Sequence, residues 1–322
     1  MKPEFVVVVD GGASRTRCAI LTRDGRQTGY AESGGSNYYG TDPELTEQAL
    51  TQALTAALDE AGVVAGDAVC VTAGMASVSP DGKGAAELEP VFEHLGFAHP
   101  MIVGDLNIAH VGALDRQPGV LVIAGTGSSC LGIAADGRTL KIGGWGPAYG
   151  DEGSGYQIGR TGLNAAAKAC DGYGPPTLLV EYICQALRIS DFHDSSNFVY
   201  QREFTASQMA GLARTVQQAA AAGDAVANSI LSVAAEDLAT MAISVVQRLF
   251  SGEPSPSVSF AGSLLVNCDV MRTRFTDAVH RAVPNAKVMP PRYPPYIGGF
   301  LMACAKLGWM PGANLPKENT SE

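Results

Sequence analysis

Basic residues are scarce in this chain. Lys and Arg together number 22 against 32 Asp and Glu, which gives a formal net charge of −10 at pH 7. No stretch of the sequence is conspicuously basic. Nucleic-acid binding needs clustered Lys and Arg that neutralise phosphates, so the composition argues against such a partner. Small anionic ligands are not excluded, because the N–H groups of glycine turns bind phosphate without a basic surface.

Long apolar runs and metal-binding cysteine patterns are also missing. No run approaches the roughly 18 apolar residues of a membrane span. The N-terminus, MKPEFVVVVD, has a short apolar stretch that ends in an aspartate, unlike a signal peptide. Of seven cysteines, the closest two are Cys170 and Cys184, a spacing that fits neither a CxxC zinc site nor an iron–sulfur site. We therefore expect a cytoplasmic protein with reduced, buried thiols and no membrane contact.

What the chain does have is a repeated unit near the start of each half. The first copy, residues 5–26, reads FVVVVDGGASRTRCAILTRDGR, and the second, residues 119–138, reads GVLVIAGTGSSCLGIAADGR. At an offset of 112 residues, Cys18 matches Cys130 and the Asp-Gly-Arg of one copy matches that of the other. Each copy is an apolar run, a Gly/Ser/Thr turn, a β-rich run and an Asp-Gly turn, which predicts two hairpins per copy. The length of 322 residues favours two domains.

The two glycine turns predict phosphate binding. Glycine lets the backbone bend tightly and approach a ligand closely. Hydroxyl residues stand in both turns, namely Ser14 and Thr16 in one and Thr126, Ser128 and Ser129 in the other. Either turn alone could be an ordinary hairpin, and the recurrence favours phosphate. Neither is a P-loop, and a hairpin rather than a helix follows the glycines, unlike a dinucleotide fingerprint.

The rest of the chain alternates between strand and helix patterns. A capping-box spacing of Thr41 and Glu44 starts a helix that Gly62 can stop. The segment 224–250 predicts a core helix, because apolar residues recur at helical spacing, namely Val226, Ile230, Val233, Met241 and Val245. The segment 141–162 is glycine-rich and irregular up to Gly153, and such a stretch in a compact domain is usually functional. Further strands are predicted at 69–73, 101–103, 257–261 and 288–291, and further helices at 87–95, 162–170, 177–187, 207–222, 269–282 and 296–307.

An ordered set of motifs resembles a known superfamily, that of sugar kinases, Hsp70 and actin, in its branch of N-acetylglucosamine kinases and BadF/BadG-type ATPases. The resemblance runs from about Val6 to Leu307. The GGWG…GDEGS segment is fairly specific for the kinase branch. The motifs are VDGGASRT at 9–16, SNYYGTD at 36–42, GD at 104–105, IAGTGSS at 123–129, GGWGPAYGDEGSGY at 143–156 and FAGS at 260–263.

The resemblance implies an α/β fold of two-lobed actin/Hsp70-like (ribonuclease H-like) duplicated domains with a cleft between them. The expected lobes are residues 1–116, joined by a C-terminal helix at 296–310, and residues 117–295. The two turns become the phosphate motifs and Gly262-Ser263 the adenosine motif. The first turn departs from the usual DGGGT at Ala13 and Ser14, and serine keeps the hydroxyl. The implied ATP-binding residues are Gly11, Gly12, Ser14, Arg15, Thr16, Gly125, Thr126, Gly127, Ser128, Gly262 and Ser263.

Two carboxylates carry the chemistry in this interpretation. Asp10 ends the first strand, where it could hold Mg²⁺ through water or simply cap its own turn. Asp105 closes a strand, where it could accept a proton from a sugar hydroxyl or cap the following helix. The resemblance implies the metal role for Asp10 and the catalytic base for Asp105. The residues implied to contact the amino sugar are Asn37, Asp105, Gly144, Trp145 and Asp151, with Glu152 in support.

The predicted function is ATP- and Mg²⁺-dependent phosphorylation of an amino sugar, namely N-acetyl-D-glucosamine at its 6-hydroxyl, by a homodimer. A glucosamine or N-acetylmuramic acid kinase is the close alternative. An activator ATPase of radical dehydratases would need cysteines for a cluster shared between subunits, and the spacing offers no clear set. A sugar-sensing regulator would need a DNA-binding module, which no basic segment supplies.

Overall fold

A computed structural model describes residues 4–38, 43–201, 204–312 and 315–317 of the chain. They fold into two compact units. The described residues of the first unit come from 4–121, 133–139 and 290–317, and those of the second from 122–132 and 140–289. Thr41, which the sequence predicts as the cap of the first helix, lies outside the described residues.

A five-stranded sheet forms the centre of the first unit, in the order β3-β2-β1-β4-β5. The pairs β1–β2 and β2–β3 are antiparallel, whereas β4 and β5 continue the sheet in parallel. The two predicted hairpins are therefore confirmed. The strands are β1 (Phe5–Gly11), β2 (Thr16–Thr22), β3 (Gln27–Ser33), β4 (Cys70–Met75) and β5 (Met101–Gly104).

The central strand β1 is buried on both faces, which explains its uninterrupted apolar run. Val7 and Val9 pack under α1 and α2, and Val6 and Val8 pack under α11. Helix α11 also crosses α3 at glycines, since a Cβ on Gly298 would lie 1.8 Å from the Ile108 carbonyl oxygen. The helices concerned are α1 (Pro43–Ala61), α2 (Glu89–His94), α3 (Asp105–Leu114) and α11 (Pro295–Leu307), with a 3₁₀ turn at Ala65–Asp67.

The second sheet repeats this arrangement, in the order β10-β9-β6-β7-β8. Three strands that are consecutive in the chain again lie side by side, and two later strands follow on the far side of the first of them. The predicted duplication is thus confirmed at the level of sheet order. The strands are β6 (Gly119–Ala124), β7 (Ser128–Ile133), β8 (Thr139–Gly143), β9 (Ser257–Ala261) and β10 (Lys287–Met289).

Helices fill the remainder of the second unit. The predicted irregular segment from residue 141 to Gly153 is wrong at its start, because β8 continues to Gly143, and the helix after it begins at Gly155, two residues beyond the predicted position. The helices are α4 (Gly155–Cys170), α5 (Leu179–Leu187), α6 (Ser196–Val199), α7 (Ala206–Ala221), α8 (Ala225–Leu249), α9 (Ser263–Asn267) and α10 (Asp269–Ala282), with a 3₁₀ turn at Phe192–Ser195.

The long helix α8 is confirmed, and its predicted apolar face is only partly wrong, because Met241 and Val245 are buried whereas Val233 is not. Val233 is 57% exposed, while Leu231, Ala234 and Leu238 are buried. By length and composition alone α8 could cross a membrane, yet 56% of its most apolar window is buried within the protein. It packs against α4, α7 and α10, as a core helix does.

Candidate active site

The first glycine turn, between β1 and β2, is tied to the chain that follows β3. The Gly12 N–H donates to the Arg15 carbonyl at 2.9 Å, and the Gly12 carbonyl accepts from the Ser36 N–H at 3.0 Å. A Cβ on Gly11 would lie 2.7 Å from the Ser36 hydroxyl oxygen, so this position has no room for a side chain. The buried side of the turn is therefore held by Ser36, while Ser14 and Arg15 face solvent.

Thr16 belongs to this support and not to the exposed surface of the turn. It is completely buried, and its hydroxyl donates to the Gly34 carbonyl at 2.7 Å and lies 2.8 Å from the Ser36 hydroxyl. The resemblance implies ATP contact for Thr16, and the structure gives its hydroxyl partners inside the protein. Asn37 follows Ser36 directly and is half-exposed.

The second glycine turn, between β6 and β7, rests on the start of α4. The Gly125 N–H donates to the Gly127 carbonyl at 2.9 Å, and the Gly125 carbonyl accepts from the Gly155 N–H at 2.8 Å. The buried Ser128 hydroxyl donates to the Glu152 carbonyl at 2.6 Å. Ser154 caps α4 by accepting the Gln157 N–H. Turn and helix start thus form one hydrogen-bonded block.

Asp151 is held directly against this second turn. Its carboxylate accepts the backbone N–H groups of Ser128 and Gly146, and a Cβ on Gly127 would lie 2.8 Å from Asp151 Oδ2. Burial raises the pKa of the Asp151 carboxyl, and the two N–H groups partly oppose that shift. Its backbone is left-handed, with φ of 58°, a strained conformation that is concentrated at functional sites.

Two other predicted segments lie beside the same turn. Gly262 has φ of 88°, and a Cβ there would lie 2.3 Å from the Ala124 carbonyl oxygen, so Gly262-Ser263 abuts the strand end that feeds the turn. Gly144 has φ of 70° and approaches the Ser129 hydroxyl. The second unit therefore brings its proposed phosphate, adenosine and sugar residues together.

Trp145 is 67% exposed, on the loop between β8 and Asp151. Its ring lies 6.4 Å from that of Tyr149, which is 75% exposed. The Gly150 N–H donates to the Gly146 carbonyl and closes the loop into a turn. Two large aromatic rings therefore stand in solvent next to a buried carboxylate, an arrangement suited to an amphipathic ligand.

Asp10 lies at the end of β1, 8% exposed, and its Oδ2 accepts from Arg17 Nη1 at 2.9 Å. Burial raises the pKa of the Asp10 carboxyl, and Arg17 opposes that shift. Within the described residues there is no group of three or more His, Cys, Asp or Glu side chains that could hold a metal. A kinase Mg²⁺ needs only one or two carboxylates, because waters and phosphates supply its other ligands. Asp10 fits such a site.

Asp105 is the first residue of α3, and the cap position belongs to Gly104. Its Oδ1 accepts the Leu106 N–H at 2.7 Å. A Cβ on Gly104 would lie 2.7 Å from the Val78 carbonyl oxygen, so the loop after β4 packs closely against the start of this helix. The positive end of a helix stabilises a carboxylate in this position. Asp105 is half-buried.

The site residues predicted from the sequence do not include Arg17, Glu32 or Tyr149. A signal for the first two was available, because the predicted hairpins place Asp10, Arg17 and Glu32 opposite one another once the register is set. Tyr149 carried no separate signal beyond its place in the glycine-rich segment.

The sequence profile of the BadF/BadG/BcrA/BcrD ATPase family matches residues 7–301. The chain belongs to this family. The predicted membership and the two-lobed α/β fold are therefore confirmed, with ATP as the nucleotide.

Among relatives of this family member, the N-acetylmuramic acid/N-acetylglucosamine kinase of Clostridium acetobutylicum is 30% identical over 93% of this chain and 98% of its own length. The N-acetyl-D-glucosamine kinase of Dictyostelium discoideum is 27% identical over 94% and 98%. A crystal structure from Chromobacterium violaceum, provisionally assigned as an N-acetylglucosamine kinase, superposes with a TM-score of 0.75 at 25% identity and covers 93% of this chain and 99% of that one.

Proposed function

We propose that this BadF/BadG/BcrA/BcrD family protein is an ATP-dependent amino-sugar kinase that phosphorylates N-acetyl-D-glucosamine on its 6-hydroxyl. The observation that carries the proposal is the second unit's block, in which the glycine turn, Asp151 and the Trp145 loop are joined by hydrogen bonds and close contacts. Two relatives that this chain matches over nearly their whole length are named as kinases of N-acetylglucosamine, one of them also of N-acetylmuramic acid.

The residues divide the reaction between them. Backbone N–H groups of the two turns bind the phosphates, and Gly262-Ser263 lies against the nucleoside. Asp151 accepts hydrogen bonds from sugar hydroxyls, and Trp145 covers the apolar face of the ring. Asp105 takes the proton from the attacking hydroxyl as its oxygen bonds to the γ-phosphorus and the bond to the ADP oxygen breaks.

Mg²⁺ when bound would neutralise the charge of the phosphates, and Asp10 is the residue that would hold it.

All seven cysteines are free thiols, five of them buried, which agrees with the reducing conditions of the cytoplasm. A homodimer stays a prediction, which sedimentation of the purified protein would test.

N-acetylmuramic acid is the second candidate substrate, because the Clostridium relative is named for both sugars. It differs from N-acetylglucosamine by a lactyl ether on O3, so the pocket must admit an extra carboxylate.

The test is ATP consumption by purified protein with four sugars in parallel: N-acetylglucosamine, glucosamine, N-acetylmannosamine and N-acetylmuramic acid. We expect the highest kcat/KM with N-acetylglucosamine and a product that carries phosphate on O6 by NMR. ATP consumption that is independent of every sugar would reject the kinase assignment.

A further inference from the structure

Four ionisable side chains form a row at the end of the first sheet, beside the first glycine turn. The strand register places Asp10 opposite Arg17 and Arg17 opposite Glu32. Directly opposed residues of an antiparallel pair share a face and interact. Arg15, in the turn itself, completes the row through an ion pair with Glu32 at 3.1 Å.

A single guanidinium joins the two carboxylates. Arg17 Nη1 lies 2.9 Å from Asp10 Oδ2, and Arg17 Nε lies 3.4 Å from Glu32 Oε1. The planar, multiply donating guanidinium can engage two carboxylates at once, which the single ammonium of lysine does less rigidly. The Tyr30 hydroxyl donates to Glu32 Oε1 at 2.5 Å and so holds the Glu32 carboxylate in the row.

Exposure increases steadily along the row. The side chain of Asp10 is 11% exposed, those of Arg17 and Glu32 are 33% and 38%, and that of Arg15 is 56%. Glu32 is therefore the link between a buried group, Asp10, and a group that reaches solvent from the turn, Arg15.

The row is not needed to build the hairpin. The second copy of the repeat forms the same strand–turn–strand unit with Val122, Gly127 and Ser129 at the positions of Asp10, Arg15 and Arg17. A partly buried ion pair is in any case an inefficient means of stabilising a fold, because desolvation offsets much of the attraction. These charged residues occur only in the first copy, which carries the proposed Mg²⁺ carboxylate Asp10. Their role therefore concerns the first glycine turn.

We propose that Glu32 is a positioning residue. It holds Arg17 behind Asp10 and holds Arg15 in the turn, so that Asp10 and Arg15 are both oriented before MgATP arrives. The inference rests on the proposed function. Pre-oriented groups lose less conformational freedom on binding, so the gain is in nucleotide affinity.

The test uses the full chain and measures MgATP binding by calorimetry beside steady-state kinetics. Glu32→Gln keeps the size of the side chain and removes its charge. We expect its Kd for MgATP to rise about tenfold, the lower end of the range for residues that orient metal ligands. The KM for the sugar and the unfolding midpoint should not change. Arg17→Lys, which retains charge and loses the planar donor group, should behave alike, and Tyr30→Phe should show a smaller effect in the same direction.

Glu4→Gln is the matched control. It removes the carboxylate of the exposed Glu4–Arg23 pair, 3.3 Å apart, at the opposite end of the same hairpin. It should bind MgATP like the wild type. Wild-type affinity in Glu32→Gln, or a loss of affinity matched by a loss of thermal stability, would overturn the positioning role. A wild-type protein that binds no MgATP would instead overturn the proposed function.

Discussion

The two glycine turns are copies of one another in sequence, yet they differ in charge. The first is flanked by Asp10, Arg15 and Arg17, whereas the second has Val122, Gly127 and Ser129 at these positions. The second turn receives its carboxylate from outside the repeat, since Asp151 is held by the Ser128 N–H. The exposed aromatic rings of Trp145 and Tyr149 also belong to the second unit.

Both turns share one structural feature, a buried hydroxyl that donates a hydrogen bond. Thr16 and Ser128 occupy matching positions, both are buried, and both donate a hydroxyl hydrogen bond to a carbonyl of a following segment. The hydroxyl thus fastens the turn in each copy, and the surroundings decide what each turn does. Under the proposed function, we infer that the first unit supplies the base and the Mg²⁺ carboxylate, and that the second supplies most of the sugar contacts.

The largest expected effect concerns the base in the first unit. Asp105→Asn should lower kcat by about 10²- to 10⁴-fold, because asparagine cannot accept the hydroxyl proton. The KM for ATP should stay near its wild-type value. Steady-state kinetics of the purified variant provide the measurement.

Asp115→Asn is the control for this variant, because it removes a carboxylate from the other end of the same helix, where Asp115 pairs with Arg292. The control should retain full activity. Turnover by Asp105→Asn equal to that of Asp115→Asn would exclude the base role.

A binding effect is expected from the second unit. Asp151→Asn should raise the KM for the sugar by about tenfold or more, since hydrogen bonds to a charged group contribute about 1.5–3 kcal/mol. Asparagine tolerates the left-handed backbone, so the loop should keep its shape. Asp277→Asn, at an exposed carboxylate of α10 in the same unit, is the control and should leave the KM for the sugar unchanged. If kcat alone falls and sugar affinity is kept, the division between the units is wrong.

Because Gly127 contacts Asp151, we expect one substitution to weaken ATP binding and sugar binding together. Gly127→Ala should weaken both ATP and sugar binding, the latter by about tenfold, because its methyl group would displace the Asp151 carboxylate at a cost of about 1–3 kcal/mol. Gly211→Ala, in α7 of the same unit, adds a methyl to open space and should change neither affinity. Calorimetry with each ligand separates the cases. Normal sugar affinity in Gly127→Ala would show that the turn and Asp151 are independent.

The smallest effects should come from the shared hydroxyls. Thr16→Val and Ser128→Ala should each lower the free energy of unfolding by about 0.5–1.5 kcal/mol, because each removes a partly buried hydrogen bond from a buried hydroxyl. Thr51→Val, at an exposed hydroxyl on α1, should cost less, since water replaces the lost bond. Urea titrations compare the three. A large loss for one turn and none for the other would break the parallel between the copies.

Much of this fold could be predicted because its signals are local. The apolar runs, the Asp-Gly turns and the 112-residue repeat define both hairpins and their duplication. The buried face of α8 could be predicted only in part, at Met241 and Val245. An alanine-rich stripe packs as closely as valine does, and only the neighbouring helices decide which stripe is covered. In the site, the motifs identify the turns and Asp151. The inward role of Thr16 and the bridge of Arg17 to Glu32 depend on register and side-chain direction, which a motif does not contain.

Hydrogen–deuterium exchange on the wild-type protein, with and without a non-hydrolysable ATP analogue and Mg²⁺, tests the central claim most directly. The claim is that both glycine turns bind phosphate through backbone N–H groups. We predict slower exchange in peptides that cover residues 11–16 and in peptides that cover residues 125–128. Protection of one turn alone, or of neither, would contradict the account.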